Sequence, residues 1–438
     1  MNIAFESRNQ SRNNYRTHCN KFNADIDLAS MSKSQKFTLY DQPSQMEPLL
    51  PSEHVLGPLL EQAHELQGAA YRLGGFCAPD ALRDLRTLLR AMNSYYTNKI
   101  EGQHTLPLEI EQALGGDFSN DADKARRQRL AVAHMACEQQ LEARWAGWSA
   151  ADVWAPQMVA DIHQDLFARL PLADRLTDGG DVLHPGAWRT RDVSVGKHAA
   201  PAFGAIAPML ARWGSYYGGV RRGELQVLAA LAAHQRLAWI HPFRDGNGRV
   251  ARLHTHLVLG KLGLTNGLWS PLRGFARTQS AYYERLAAAD EPRAGDLDGR
   301  GNLTEKGLIS WIAYALQTCL DQVQFMEKSL RLDGMLDRMA ACLAYEENVV
   351  KLGVRTESLR GLHYLFATQA ELERSEFKAL LASSGLGDRL GTAQVSALLK
   401  RGLLATDSPH GKLRLGVPQH ALRFYFSGLW PEAEAGAR

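Results

Sequence analysis

The 438-residue sequence is short of several things that usually announce a function. It has five cysteines, Cys19, Cys77, Cys137, Cys319 and Cys342, and none of them stands at a metal-ligand spacing such as C-x-x-C. That pattern speaks against a disulfide scaffold or zinc finger and reads as reduced thiols in a cytoplasmic chain. No run of about 18 apolar residues occurs, so no membrane partner is expected, and no apolar signal core opens the chain. Charge of one sign is scarce too. Fifty Lys and Arg against 47 Asp and Glu leave a formal net charge of +3, so any nucleic-acid footprint has to be local. Neither a G-x-x-x-x-G-K-[ST] phosphate loop nor a G-x-S-x-G nucleophile elbow is present. His234, His241, His254 and His256 fall close together, but His254 and His256 are two apart and point away from each other on a helix. Zinc is not expected among these four.

Helical periodicity is what the chain has in plenty. Residues 1 to about 45 are rich in Asn, Ser, Gln, Lys and Arg and poor in large aliphatics, which predicts a disordered tail. Met31 and Met46 are alternative starts. From Ser52 onward apolar residues recur at helical spacing, with segments over roughly 106–114, 121–144, 155–169, 202–217, 224–240, 247–262, 278–289 and 304–344. A second early helix follows Pro79 and ends at Gly102. One stretch before residue 345, "WRTRDVSVG" at 188–196, alternates as a hairpin strand does. Near the C-terminus, a helix, a Gly-containing turn and a second helix over about 393–401 precede two short strands around a Pro409–Gly411 turn, the winged-helix order. The expected fold class is therefore mainly α with a small β-hairpin, plus a C-terminal winged helix-turn-helix domain. Boundaries are expected at 1–45, 46–130, 131–345 and 346–438.

The chemistry concentrates in "HPFRDGNGRVAR", 241–252. Asp245-Gly246-Asn247-Gly248 is turn chemistry, and Asn247 is a good N-cap for the helix that follows. Glycines on both sides of Asn247 let successive N–H groups point into one concavity, with the helix dipole behind it. Arg249 and Arg252 share a helix face beside that nest and suit a di- or triphosphate. Asp245 is a natural Mg²⁺ ligand, because Mg²⁺ takes one or two carboxylates and completes its shell with phosphates. His241 stands where it can take a proton from an incoming hydroxyl at neutral pH. Phe243 would pin the loop to the core.

This stretch resembles the signature of Fic-domain proteins, His-x-Phe-x-(Asp/Glu)-Gly-Asn-Gly-Arg-x-x-Arg, with every specified position filled. The resemblance implies an all-helical Fic core that transfers AMP from ATP to a Ser, Thr or Tyr hydroxyl of a target protein. It implies His241 as general base, Asp245 on Mg²⁺, and Gly246, Asn247 and Gly248 cradling the α and β phosphates. Arg249 would help bind those phosphates and Arg252 would hold the γ-phosphate. "PGAWRTRDVSVG" matches the position of the family's flap, with Val193, Ser194, Val195 and Gly196 as the edge that aligns a target segment. A plain surface hairpin is the other reading. "SAYYERL", 280–286, resembles the stretch near the adenine site, although Tyr282 and Tyr283 read equally as core aromatics.

Thr97-Asn98-Lys99-Ile100-Glu101-Gly102 resembles the family's inhibitory motif, (Ser/Thr)-x-x-x-Glu-(Gly/Asn). An acid in the last turn of a helix is disfavoured by the dipole, by a few tenths to about 1 kcal/mol, so Glu101 calls for a cationic partner. The resemblance implies that this partner is Arg252. Four alternatives stay open at this point: another phosphate-containing group or another nucleotide used by the same site, removal of AMP as the main activity, modification of the chain itself alone, and a winged-helix regulator that senses nucleotide. The recognition helix presents Gln394, Lys400 and Arg401, and either DNA or a protein is its partner. Relatives of this type also make a homodimer plausible.

Overall fold

The computed structural model describes residues 40–75, 83–177, 180–196, 198–368 and 370–429. Helices dominate: α1 (Gly57–Gly75), α2 (Arg83–Ile100), α3 (Pro107–Leu114), α4 (Ala122–Arg144), α5 (Ala150–Val153), α6 (Pro156–Ala168), α7 (Ile206–Gly219), α8 (Gly223–Ile240) and α9 (Asn247–Lys261). They continue through α10 (Leu272–Arg277), α11 (Gln279–Asp290), α12 (Glu305–Leu330) and α13 (Leu332–Tyr345) to α14 (Leu359–Thr368), α15 (Arg374–Ser383), α16 (Asp388–Lys400) and α17 (Gln419–Tyr425). Two small antiparallel hairpins interrupt them, β1 (Ser194–Val195) with β2 (His198–Ala199), and β3 (Leu404–Ala405) with β4 (Arg414–Leu415).

The centre is set by α8. Every residue from Val227 to Leu237 is buried, so this helix has no polar face and must be enclosed on all sides. The enclosing partners are α1, α7, α9 and α12. Enclosure obliges the polar residues of α8 to find partners inside. Arg236 donates to the Pro48 carbonyl at 2.9 and 3.2 Å and to the Ala289 carbonyl at 3.1 Å. Gln235 Nε2 donates to Asp290 Oδ1 at 2.7 Å. Trp213, Trp239 and Trp311 fill the space around α8 and are fully buried. Each such side chain contributes roughly 1.5–3 kcal/mol or more of transfer free energy.

Several expectations shift. The tail expected over 1–45 lies mostly outside the described residues, but 40–45 is ordered. Tyr40 packs against Trp239 at a 5.0 Å ring distance, its carbonyl accepts from Ala202 N at 2.8 Å, and Met46 is fully buried. The helix expected unbroken over 304–344 is two helices. They meet at Arg331, whose backbone is extended (φ −61°, ψ 138°). Beyond this break α13 packs on α14 and α17, whereas α12 packs on α1 and α11. Helix α14 buries Gly361, Leu362 and Leu365.

In the C-terminal part α14, α15 and α16 are followed by the β3–β4 hairpin, and Leu372 bridges to Leu413. This is the element order expected of a winged helix. Two residues expected to reach DNA do not face outward. Gln394 is 2% exposed, and its amide, turned to suit its neighbours, donates to the Gly353 carbonyl (3.0 Å) and accepts from Ser358 Oγ (2.8 Å). Arg401 makes a fork on the buried Glu346 carboxylate at 2.6 and 2.8 Å. Lys400 remains exposed.

Candidate active site

The site is built where α8 ends and α9 begins. His241 caps α8 in a left-handed conformation (φ 50°, ψ 59°), its N–H still bonded to the Leu237 carbonyl at 3.1 Å. For a residue other than glycine this costs of order 1 kcal/mol and turns the chain sharply out of the helix. The following loop is closed by Asn247. Its Oδ1 accepts from Phe243 N at 2.9 Å and its Nδ2 donates to the Phe243 carbonyl at 2.9 Å. Sequence reasoning made Asn247 the cap of α9. The cap is instead Gly246 (φ 81°), and the Asn247 side chain staples the loop from inside. A Cβ on Gly246 would meet the Phe167 ring at 2.4 Å, so both its conformation and its neighbourhood demand glycine.

Two residues that sequence reasoning did not single out hold this loop in place. His163, on α6, stacks on Phe243 (3.8 Å between ring centres, 6° between planes). Its Nδ1 accepts from Gly186 N at 2.8 Å, which leaves Nε2 protonated and facing the Asp245 carbonyl at 3.3 Å. Burial pushes its pKa down to about 3, in keeping with that neutral tautomer. Arg189, 2% exposed, donates to the carbonyls of His241 (2.8 Å), Arg191 (2.9 Å) and Pro201. Arg189 N also donates to the Pro242 carbonyl at 2.8 Å. It fastens the β1–β2 hairpin to the 241–252 turn, and an arginine in Trp188-Arg189-Thr190-Arg191 carried no signal of that in the sequence.

The hairpin pairs Ser194 with Ala199 and Val195 with His198, and Gly196 has φ 59°. It is displaced a few residues beyond the 188–196 expected. Val193, Ser194 and Val195 are half-buried and Gly196 is exposed. His198 Nε2 lies 2.8 Å from the Trp239 carbonyl and anchors the second strand.

Glu101, Thr97 and Arg252 come together as the resemblance implied. Helix α2 stops at Ile100, so Glu101 begins the turn past the helix end rather than closing its last turn. Gly102 (φ 70°) completes the turn, and two side chains of α11 hold its start: Gln279 Nε2 and the Tyr283 hydroxyl both donate to the Ile100 carbonyl, at 2.7 and 2.9 Å. Arg252 Nη2 makes a very short ion pair with Glu101 Oε1, and Nε donates to Thr97 Oγ1 at 2.8 Å. The Arg252 side chain is 1% exposed and that of Glu101 28%. Burial alone would raise the Glu101 pKa, but the guanidinium groups of Arg252 and Arg249 hold it below the usual value. Arg249 is engaged as well, by Asn98 Oδ1 (3.1 Å) and Gln103 Oε1 (2.6 Å). Gly248 lies under the pair, where a Cβ would come within 2.5 Å of Glu101 Oε1.

A chain of hydrogen bonds backs Arg252. The Thr255 hydroxyl donates to the Ala251 carbonyl (2.8 Å), so it accepts from His234 Nδ1 (2.8 Å). His234 Nε2 is then an acceptor for the Tyr282 hydroxyl (3.0 Å), whose oxygen faces Arg252 Nη1 at 3.4 Å. Tyr282 is thus a buried core aromatic that braces the arginine, and Tyr283 braces the turn after α2.

Burial first, then the positive fields of His198 and Arg189, push His241 down to about 3, so its imidazole is neutral at pH 7. Asp245 is half-buried, with Oδ1 engaged by Gly246 N at 2.6 Å. One carboxylate at the mouth of an anion nest suits Mg²⁺, which completes its shell with phosphate oxygens and water. The donor set fits.

Residues 154–259 match the Fic/DOC family. The chain is 32% identical over 135 residues to the protein adenylyltransferase Fic of Drosophila mojavensis, covering 31% of this chain and 26% of that protein. It is also 32% identical over 123 residues to the protein of that name from Drosophila grimshawi, covering 28% of this chain and 24% of the relative. The chain thus spans about a quarter of the length of these curated relatives. Among solved structures it is similar to a Fic family protein from Desulfovibrio desulfuricans (TM-score 0.48, 15% identity, 84% of this chain and 98% of that one). Fic-1 from C. elegans is also similar (TM-score 0.46, 16% identity, 63% and 74%). The stretch similar to the Fic/DOC family, residues 154–259, contains the α8–α9 turn.

Proposed function

We propose that this chain is a Mg²⁺-dependent protein adenylyltransferase that is held off by its own Glu101. The observation that carries the proposal is the turn at 241–252. A neutral histidine, a half-buried carboxylate and a helix N-terminus flanked by two arginines follow one another in this one turn. The relatives named protein adenylyltransferase support AMP as the transferred group.

In the proposed reaction a hydroxyl of the target protein, laid along the β1–β2 edge, gives its proton to His241 as its oxygen attacks the α-phosphorus of ATP. The bond from that phosphorus to the bridging oxygen breaks, and pyrophosphate leaves. An imidazole held down to about 3 is by itself a weak base. The negative charge of a bound polyphosphate favours the imidazolium and raises that proton affinity toward the working range. The N–H groups at the start of α9 and the Arg249 guanidinium stabilise charge on the phosphates as it shifts to the leaving group. When bound, Mg²⁺ held by Asp245 would supply further charge neutralisation there. Glu101 keeps Arg252 from the γ-phosphate and sets a carboxylate beside it, which misaligns or repels the nucleotide.

For the C-terminal part we propose a winged helix that contacts protein rather than DNA. Two of the three residues expected to read DNA are committed to internal partners.

The test of the reaction class uses ATP labelled at the α- or the γ-phosphate, with Glu101→Gly and with Glu101→Gly combined with His241→Ala. Label from the α-position alone, abolished by the second substitution, is the expected result. Transfer of γ-label would mean phosphorylation and sink the proposal.

A further inference from the structure

One helical turn below the Glu101–Arg252 pair, the same seam holds a second cluster that the proposed reaction does not use. His134, Glu138 and Glu142 are spaced by four along α4 and share a face. His256, one turn beyond Arg252 on α9, meets that face. The ligand atoms of Glu138, Glu142 and His256 lie within 4.8 Å of one another. His256 Nε2 is 3.1 Å from Glu142 Oε1 and 3.8 Å from Glu138 Oε1. Each carboxylate is oriented from behind by α2: Asn93 Nδ2 donates to Glu138 Oε1 at 2.7 Å and Arg90 Nε to Glu142 Oε2 at 2.7 Å.

Three features of this cluster are costly as they stand. His134 is 0% exposed, and neither of its ring nitrogens has a hydrogen-bond partner. Glu138, 1% exposed, has Oε2 without a partner, and that oxygen faces His134 Nδ1 at 3.7 Å. Arg90 compensates one buried carboxylate, and the second has no fixed cation of its own. A proton on His256 or on Glu138 would settle the charge, but it would leave His134 unbonded. Buried polar groups left unsatisfied cost stability.

We propose that Glu138, Glu142 and His256 bind a first-row transition-metal ion of the zinc class. Two carboxylate oxygens and one imidazole form a borderline N/O set, which suits Zn²⁺ or Co²⁺ and gives Mg²⁺ little advantage. Asn93 and Arg90 have the role that second-sphere partners play toward ligating carboxylates. The ion cross-links α4 to α9 and, through Asn93 and Arg90, steadies α2 four and seven residues before Thr97. It is a structural site, separate from the nucleotide site. Sequence reasoning set zinc aside because His254 and His256 diverge. His254 does turn away, to the Val153 carbonyl at 2.9 Å, and the partners of His256 come from another helix.

The test uses the untagged full chain, stripped with a chelator and free of nucleotide. Co²⁺ is expected to bind at one equivalent with a visible d–d spectrum, and Zn²⁺ is expected to displace it. At free Zn²⁺ 100-fold above its dissociation constant, the folding equilibrium should shift about 100-fold toward the native state, seen as a higher Tm that Mg²⁺ does not reproduce. Asp245→Asn should keep both signals, and Glu138→Gln and His256→Gln should lose them. Absence of both signals in the wild-type chain would overturn the proposal. So would loss of both signals in Asp245→Asn, which would assign the ion to the active-site turn. If the Glu138 and His256 variants fail to fold, the wild-type chain and Asp245→Asn decide the matter between them.

Discussion

At the scale of single residues, Glu101 and His163 show how differently two side chains can matter to one site. The folded Glu101 carboxyl titrates below its ordinary value of 4.5. Its contribution to stability is therefore complete above that value and is lost only as pH falls through the lower, folded one. The pair with Arg252 stays intact across neutral pH, and acidification to pH 6 is expected not to release it. Equal transfer rates for the wild-type chain at pH 6 and pH 8, relative to Glu101→Gly at the same pH, would bear this out. A rate that climbs on acidification only in the wild-type chain would contradict it. His163 acts through the loop it holds. His163→Phe keeps the ring that stacks on Phe243 but removes the bonds to Gly186 N and the Asp245 carbonyl. The expected cost is about 1–3 kcal/mol of stability, seen in denaturant melts, together with a fall in transfer rate in the Glu101→Gly background. The first effect without the second would assign His163 to the core alone.

At the scale of elements, the hairpin depends on Arg189. Arg189→Ala leaves the carbonyls of His241, Arg191 and Pro201 without this donor, at roughly 1–3 kcal/mol for each that stays buried. Arg189→Lys is expected not to restore the hairpin, because one ammonium cannot reproduce a planar fork. The measurement is KM for a peptide target against kcat. A rise in KM with little change in kcat would place the effect in docking, and no change in either would refute it. Element scale is also where the sequence was most and least legible. The α8–α9 turn was readable because its glycines, asparagine and arginines are local and contiguous. The β3–β4 hairpin was readable from its Pro409–Gly411 turn. The break at Arg331 was not, because neither glycine nor proline marks it and the exposed chain simply turns extended. The partners of Arg249, Asn98 and Gln103, sit about 150 residues away and show no pattern of their own. Gln394 and Arg401 read as surface residues from helix register alone, and only the packed position of the 346–358 segment turned them inward.

At the scale of the whole molecule, the enclosed α8 gives the fold its pH limit. Burial pushes His163 and His234 down to about 3 and His198 to about 4. Their folded values lie below the ordinary 6.5, so the unfolded chain takes up protons first as pH falls. Stability is thus full above about 6.5 and falls below it, each group contributing up to about 1.4 kcal/mol per pH unit. The Tm is expected to drop steeply between pH 6.5 and 5, and His234→Gln should flatten that slope. A Tm unchanged over this interval would show that these imidazoles take up protons in the native state without penalty.

The central claim is that one carboxylate on Arg252 holds the whole site off. Its most direct measurement is the initial rate of α-label transfer from saturating ATP, compared across the wild-type chain, Glu101→Gln and Glu101→Gly. The account expects the rate to rise in that order. Gln removes the charge but keeps the bulk beside Gly248, and Gly removes both; each tenfold step corresponds to about 1.4 kcal/mol. Equal rates for all three, at equal His241-dependent activity, would contradict it.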